Sequence, residues 1–460
     1  MCSSDSGYDT LRFLSEFFRL TLLNTLANLS EPFANLIDTS MLARMPHVDS
    51  VAGVELATVI FDYVYWGFGF LRLGTTGLVA QASGNVDMQQ QLREIFWRSV
   101  SLAFFIGMGV LILRPVIALA AFTLLSADPL TSLAARSYFN IRILGAPATM
   151  LNYALMGWFL GRAQSGRTVV LAVLANASNI ILNYLLIVRS GWGAYGAGMA
   201  SMLAQYIQLA AGCVFLLIES QLDTSISVLR PVDMATLCQV DKLKRFFSLN
   251  ADLFTRTFGL ISVFAVFRKL SLGLGKHQLA VNALLLRLFF FIANFIDGAA
   301  IALESMTGRF VVAGADTGIQ GVDIVVSDKP ALRQLVRVSG KTMFLLAAAA
   351  LLPIVISPKS VATLLTSHSH LISGMLKYAF WLVPLVFCGT LAFMYDGLFL
   401  GLTVGRDLRR SMWLSIVVAF APFACAGIVL KNNHYLWAAL TALMIARSFI
   451  LHHRSQRYLS

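Results

Sequence analysis

Apolar runs long enough to cross a bilayer recur along the whole chain, and nothing else constrains its fold so strongly. They fall near 14–44, 51–82, 95–125, 133–161, 166–189 and 193–219, then near 246–274, 278–308, 335–357, 371–402, 410–430 and 434–452. A spanning helix needs roughly 20 predominantly apolar residues, and 58% of the 460 residues are apolar. Only 13% are charged, against about a quarter in a soluble domain. With a mean hydropathy of +0.75, these values exclude a soluble enzyme and a disordered chain. The expected fold class is an all-α polytopic membrane protein with twelve transmembrane helices in two pseudo-symmetric six-helix bundles.

The stretch from Glu219 to Arg245 is rich in polar and charged residues and divides the apolar segments six and six. The expected organisation is an N-terminal bundle over 1–222, a cytoplasmic linker over 223–245 and a C-terminal bundle over 246–460. A net charge of +12 would suggest nucleic acid in a soluble protein. Here the positive-inside rule accounts for it: with both termini inside, roughly nineteen Lys and Arg lie near cytoplasmic joints and about nine near outer ones. Arg162, Arg167, Lys242, Lys244, Arg245, Arg309, Arg333, Arg406, Arg409 and Arg410 belong to the inside set. The five cysteines form no CxxC pair, so neither a disulfide frame nor a zinc site is expected. The polar start, Met1 to Thr10, lacks the basic region and cleavage site of a signal peptide.

Internal repetition supports the division. Gly157-Trp158-Phe159-Leu160-Gly161 and then Gly166-Arg167 close the fourth segment, while Gly397-Leu398-Phe399-Leu400-Gly401 and then Gly405-Arg406 close the tenth. Leu56-Ala57 and Leu279-Ala280 begin the second helix of each half. An even number of helices separates the copies, so both halves run in the same direction. Parallel repeats of this kind are a recurring transporter plan, with the substrate site between them.

The first segment carries Asn24, Asn28, Glu31, Asn35 and Asp38 at alternating steps of four and three, which places all five on one helix face. A charge at membrane depth is costly unless it faces protein or water, so this face cannot look at lipid. Asn24 and Asn28 are readable as interhelical hydrogen-bonding groups. Two acids are harder to explain that way, which makes Asp38 and then Glu31 candidates for function. Pro32 between them permits a bend.

The fifth segment presents Asn176, Asn179 and Asn183 at i, i+3 and i+7, ahead of a glycine-rich start to the sixth that includes Ser201. Amides and a hydroxyl could coordinate a cation or position a carboxyl group. In the second half Asn294, Asp297 and Glu304 share a face of the eighth helix, and Asp396 lies in the tenth. These are candidates for a substrate cavity or second acidic site. Asp252 and Arg256, one turn apart, are expected to pair with each other, and Asp62 and Arg72 are readable as structural. Aromatic residues crowd the second and eighth helices, where an acidic face could receive a flat organic cation. All seven histidines fall in or beside joints, and HExxH, GxSxG and P-loop motifs are lacking. Proteases, acyltransferases and ATP-driven pumps thereby lose support.

At this point the chain resembles the multidrug and toxic compound extrusion (MATE) transporters, in particular their DinF-like bacterial branch. The matching residues are Leu36-Ile37-Asp38-Thr39, Phe70-Leu71-Arg72 through Thr75-Thr76-Gly77-Leu78-Val79-Ala80-Gln81-Ala82, and Gly157 to Gly161. Further matches are Asn176 with Asn179-Ile180, Asp297-Gly298 with Glu304, Asp396-Gly397 and Asn433-His434. Each is weak alone, and together they span nearly the whole chain in family order. The resemblance implies a V-shaped pair of six-helix bundles in the bacterial inner membrane, exporting small organic, often cationic or amphiphilic compounds against H⁺ or Na⁺. It implies that Asp38 is the coupling residue, with Asn176, Asn179 and Ser201 around it.

Two departures stand out. Asn183 occupies a place where relatives often carry aspartate, and Ala43-Arg44 replaces a small, glycine-containing end to the first helix. One missing negative charge should weaken Na⁺ coordination more than proton binding, which favours H⁺. The expected mechanism is proton uptake by Asp38 in an outward-open state, a bend near Pro32 and substrate displacement. No cofactor beyond the coupling ion is expected, nor any nucleic acid; the partners are small organic substrates and the bilayer, and the chain is expected to act as a monomer. The alternatives are a Na⁺-coupled exporter and a flippase for lipid-linked sugars, whose cavity should be basic rather than acidic. A non-transporting membrane enzyme or receptor is a remote third.

Overall fold

The structure is a computed structural model that describes residues 5–42, 48–83, 88–124, 129–222, 232, 237, 239–312, 325–366 and 368–460. Inside a membrane each span must satisfy its own backbone groups, and the described residues are helical almost throughout. Eleven helical stretches among them are long and apolar enough to cross a membrane; they follow the second to twelfth expected segments. Residue contacts group the chain into two units, Leu29–Lys244 and Met1–Asn28 with Arg245–Ser460. The division falls inside the first helix, α1 (Asp5–Leu42), one turn before Pro32. Proline has no N–H, so the carbonyl of Asn28 loses its helical donor at that point.

In the Leu29–Lys244 unit, α1 is followed by α2 (Val48–Gly67), α3 (Phe70–Ala82), α4 (Met88–Ile112), α5 (Arg114–Leu124), α6 (Pro129–Arg142), α7 (Ala146–Gly161), α8 (Ser165–Asn183) and α9 (Gly193–Leu222). Three expected segments are interrupted. The second breaks at Gly67-Phe68-Gly69, where Phe68 N and Gly69 N bond three residues back, to the carbonyls of Tyr65 and Trp66. Two glycines lower the cost of leaving the helix there. The third is divided beside Pro115. The fourth carries a 3-10 turn at Ile143–Gly145, because Pro147 cannot donate to the carbonyl of Ile143. Helix α2 packs on α6, α3 and α4 on α7, and both α6 and α8 on α9. Val79, Leu92, Phe96, Trp158, Phe159 and Leu171 belong to the core that α3, α4, α7 and α8 share.

The other unit contains α10 (Val240–Gly273), α11 (Lys276–Gly308), α12 (Lys329–Ile356), α13 (Pro358–Leu365), α14 (Ser369–Tyr378), α15 (Leu382–Gly401), α16 (Gly405–Ser415), α17 (Ala421–Val429) and α18 (Asn433–Leu459). Between α11 and α12 two short strands, β1 (Val311–Val312) and β2 (Val325–Val326), pair antiparallel with Val311 opposite Val326. This hairpin is the one departure from an all-helical chain among the described residues. A 3-10 turn at Ala379–Trp381 precedes Pro384, which cannot donate to the carbonyl of Phe380, as in the fourth segment.

The sequence repeat becomes a packing repeat. A Cβ on Gly157 would lie 2.7 Å from the carbonyl oxygen of Arg72, and one on Gly161 would lie 2.6 Å from that of Thr76. In the second half a Cβ on Gly397 would lie 2.6 Å from the carbonyl oxygen of Ala300, and one on Gly401 would lie 2.6 Å from that of Glu304. Each GxxxG face therefore admits a neighbouring helix backbone that no larger residue would admit. Each is followed by the same turn. Ala163 (φ 55) and Thr403 (φ 54) are left-handed, and Gln164 N and Val404 N bond the carbonyls of Phe159 and Phe399 at 2.8 and 2.9 Å, a Schellman closure built without glycine.

Candidate functional site

The polar face of α1 is used differently along its length. In its first part the Asn24 amide donates to the Gly298 carbonyl at 3.4 Å and the Asn28 amide to the Asn294 carbonyl at 3.3 Å. A Cβ on Gly298 would lie 2.6 Å from Thr25 N, so the two helices are in backbone contact. These two asparagines serve helix packing against α11.

At Ser30 the partner comes from the Leu29–Lys244 unit. Asn176 Nδ2 on α8 donates to Ser30 Oγ on α1 at 2.8 Å. Asn183 Nδ2 donates to Asn179 Oδ1 at 3.0 Å, and Asn179 Nδ2 donates to Ser201 Oγ on α9 at 3.4 Å. The structure thus brings Asn176, Asn179, Asn183 and Ser201 into one polar strip that reaches α1 two residues before Pro32. An aspartate at 183 could not make the donation that Asn183 makes. Directly after Asn183 the helix widens into a π turn, Tyr184–Arg189, a feature often found at functional sites.

Glu31 is exposed, and the charged groups that face it are Asp62 of α2 and Arg142 of α6. The side chains of Asn35 and Asp38 lie outside the described residues.

Arg142 is a further member of this group that no motif in the sequence marks. It donates to Tyr138 Oη at 2.7 Å and stacks over the Phe61 ring at 4.7 Å, a cation–π contact. Tyr65 and Tyr138 face it as well, and Tyr153 Oη donates to the Tyr65 carbonyl at 3.4 Å. The signal was present, since an arginine in the middle of an apolar segment is itself a sign of function or pairing. The group here combines acids with a held cation and phenol hydroxyls, rather than presenting acids alone.

In the C-terminal half the four candidates separate. Asn294 and Asp297 sit half-buried on α11 beside the α1 contact, and Glu304 is buried farther along, where α11 crosses Gly401. Asp396 belongs to another cluster. Both its oxygens accept from Arg447 Nη2 of α18, at 2.8 and 2.7 Å, and Arg256 of α10 also bonds Oδ2. The expected Asp252–Arg256 pair is therefore corrected: Asp252 pairs with Arg409 at 2.6 Å. It faces the start of α16, where a Cβ on Gly405 would touch it, and Arg256 one turn on points at Asp396 instead. Among the described residues no three His, Cys, Asp or Glu side chains gather in a metal-holding group.

Comparison with known proteins gives one consistent answer. The MatE family model matches residues 25–185. The DNA damage-inducible protein F of Escherichia coli (strain K12) is 30% identical over 439 residues, covering 94% of this chain and 90% of that protein. The probable multidrug resistance protein NorM of Pasteurella multocida is 25% identical over 271 residues, covering 56% of each. The fold is similar to that of a solved structure described as the outward-facing conformation of a multidrug resistance MATE family transporter of the MOP superfamily. There the TM-score is 0.83 at 17% identity, over 96% of this chain and 95% of that one. Those relatives are transporters rather than enzymes, and the chain belongs to the multidrug and toxic compound extrusion (MATE) family of membrane transporters.

Proposed function

We propose that this protein exports small organic, often cationic or amphiphilic compounds from the cytoplasm in exchange for protons, by alternating access. The observation that carries the reading is the amide–hydroxyl strip Asn183–Asn179–Ser201 with Asn176–Ser30, which ties α8 and α9 to α1 beside Pro32. It is made of neutral groups that spend donors on one another, a poor substitute for the hard anionic oxygens a metal cation prefers. Asp38 is the coupling acid, with Glu31 and Asn35 on the same face. In an apolar setting a carboxyl group favours its neutral form. Protonation on the outer side then shifts the bond pattern around Ser30, and α1 bends where Asn28 already lacks its donor. The relatives' multidrug names support the substrate class.

In this reading the protein works as a monomer in the bacterial inner membrane with both termini cytoplasmic. Asn294, Asp297 and Glu304 serve a second acidic site or helix packing. Asp396, which is held by two arginines, is the weakest candidate for contact with a cationic substrate.

The test is transport in proteoliposomes under an imposed pH gradient. Asp38→Asn should abolish pH-driven movement of a cationic dye while the protein still purifies folded. A sodium gradient at constant pH should drive nothing in the wild type. Wild-type coupling in Asp38→Asn would remove the assignment, and sodium-driven uptake without a pH gradient would favour the Na⁺ reading.

A further inference from the structure

Among the described residues three acids are each gripped by two bases, and one of the three differs in a way that asks for a ligand. Glu94 meets Arg98 and Lys242, Glu219 meets Arg162 and Arg167, and Asp396 meets Arg256 and Arg447. In each of these pairings two positive charges meet one negative charge. In the first two the surplus reaches solvent, since the Lys242 side chain is 46% exposed and that of Arg167 27%. Around Asp396 it does not: the Arg256 side chain is 10% exposed and that of Arg447 0%. A buried guanidinium without a counter-charge is strongly unfavourable.

No other described acid relieves it. The charged groups facing Arg447 are Asp396 and Arg256, and Asp252, one turn from Arg256, is paired with Arg409. Hydrogen bonding tells the same story. Asp396 engages only Nη2 of each arginine, Arg447 Nη1 has only the Met444 sulfur at 4.0 Å, and the buried Nε–H groups of Arg256 and Arg447 meet no acceptor. The two arginines that grip this one carboxylate thus keep two unused Nε donors and one unbalanced charge inside one unit.

We infer that the Arg256–Asp396–Arg447 cluster is a binding site for one small inorganic anion, of the chloride class, accepting from the Nε–H groups that Asp396 leaves unused. A neutral water could accept the hydrogen bonds but would leave the charge. With side-chain exposures of 10% for Arg256, 6% for Asp396 and 0% for Arg447, a small ion suits the cluster better than an organic anion. The bound ion neutralises the junction of these three helices, so its release should loosen that unit. This site is separate from the proton-coupling strip and does not depend on the transport reading.

The experiment uses the purified full chain in detergent, with thermal unfolding followed in potassium chloride and in potassium gluconate at equal ionic strength. Chloride should raise the wild-type Tm in a saturable way. Arg256→Gln leaves one arginine against one carboxylate and should abolish the chloride-specific rise. Asp396→Asn adds to the surplus and should lower the half-saturating chloride concentration. Equal Tm values in the two salts, or a chloride response unchanged in Arg256→Gln, would overturn the site. Should that variant fail to fold, bromide anomalous scattering from wild-type crystals decides. A peak within hydrogen-bond reach of either Nε supports the proposal, and bromide found only elsewhere refutes it.

Discussion

The two halves share a helix-packing scheme and differ in how they handle charge. Each closes its fourth span with a GxxxG face pressed on backbone carbonyls, then a left-handed residue, Ala163 or Thr403. Just beyond, the third residue of the next helix forms an ion pair with the last helix of the half. In the N-terminal half it is Arg167 with Glu219; in the C-terminal half it is Asp407 with Arg454 at 2.7 Å. The signs are exchanged. Glycine is irreplaceable where a Cβ would strike a backbone atom, whereas an ion pair is equally attractive in either sense. A repeat therefore preserves close contacts and lets charges trade places.

The interiors diverge further. Asn176, Asn179, Asn183 and Ser201 line the N-terminal half with neutral polar groups, while the C-terminal half seals Asp396 between two arginines. It also buries a network in which Asn282 donates to Ser271 and Asn433 at 2.7 Å each, and accepts from Trp437 Nε1 at 2.9 Å. The first arrangement suits a site whose bonds change in use; the second suits a rigid junction.

The largest effect should come from Asp396→Leu, which strands two enclosed guanidinium groups. A loss of about 3–5 kcal/mol is expected, seen as a collapse of folded yield and of Tm in detergent. Glu219→Leu should cost clearly less, because Arg167 can turn to water; equal losses would break the contrast between sealed and solvated clusters. Next come Gly161→Ala and Gly401→Ala, each expected to cost about 1–3 kcal/mol through overpacking. Comparable drops in Tm would sharpen the repeat, and a harmless change at either position would end it. Asn183→Asp adds a carboxylate to the strip. It should introduce a sodium dependence of transport, with apparent Na⁺ affinity rising about tenfold, or 1.4 kcal/mol. No sodium response in that variant would show that this strip does not select the ion. The smallest effect belongs to Arg167→Gln, below about 1 kcal/mol because the Arg167 side chain is 27% exposed and Arg162 remains on Glu219.

Much of this was legible beforehand. Apolar runs located the spans, and the two copies of Gly-x-x-x-Gly marked equivalent crossings. Asparagines at i, i+3 and i+7 announced a polar strip that the structure joins to Ser201 and to Ser30. The breaks at Gly67–Gly69 and around Pro147 were visible as residues but not as consequences, since glycine and proline are often tolerated within membrane helices. Arg142 was in plain sight as an intramembrane charge with Tyr138 one turn before it, yet nothing local linked it to Phe61.

By itself, then, the order of residues settled which stretches become membrane helices and that the chain is built twice over, because hydrophobic length and backbone hydrogen bonding are properties of each segment alone. Which charge answers which was decided only in three dimensions. Arg256 lies one turn from Asp252 yet bonds Asp396, 140 positions away, and α1 divides its contacts at Asn28. Neighbours along a helix can face different partners, and electrostatic attraction depends on distance and burial rather than on separation along the chain.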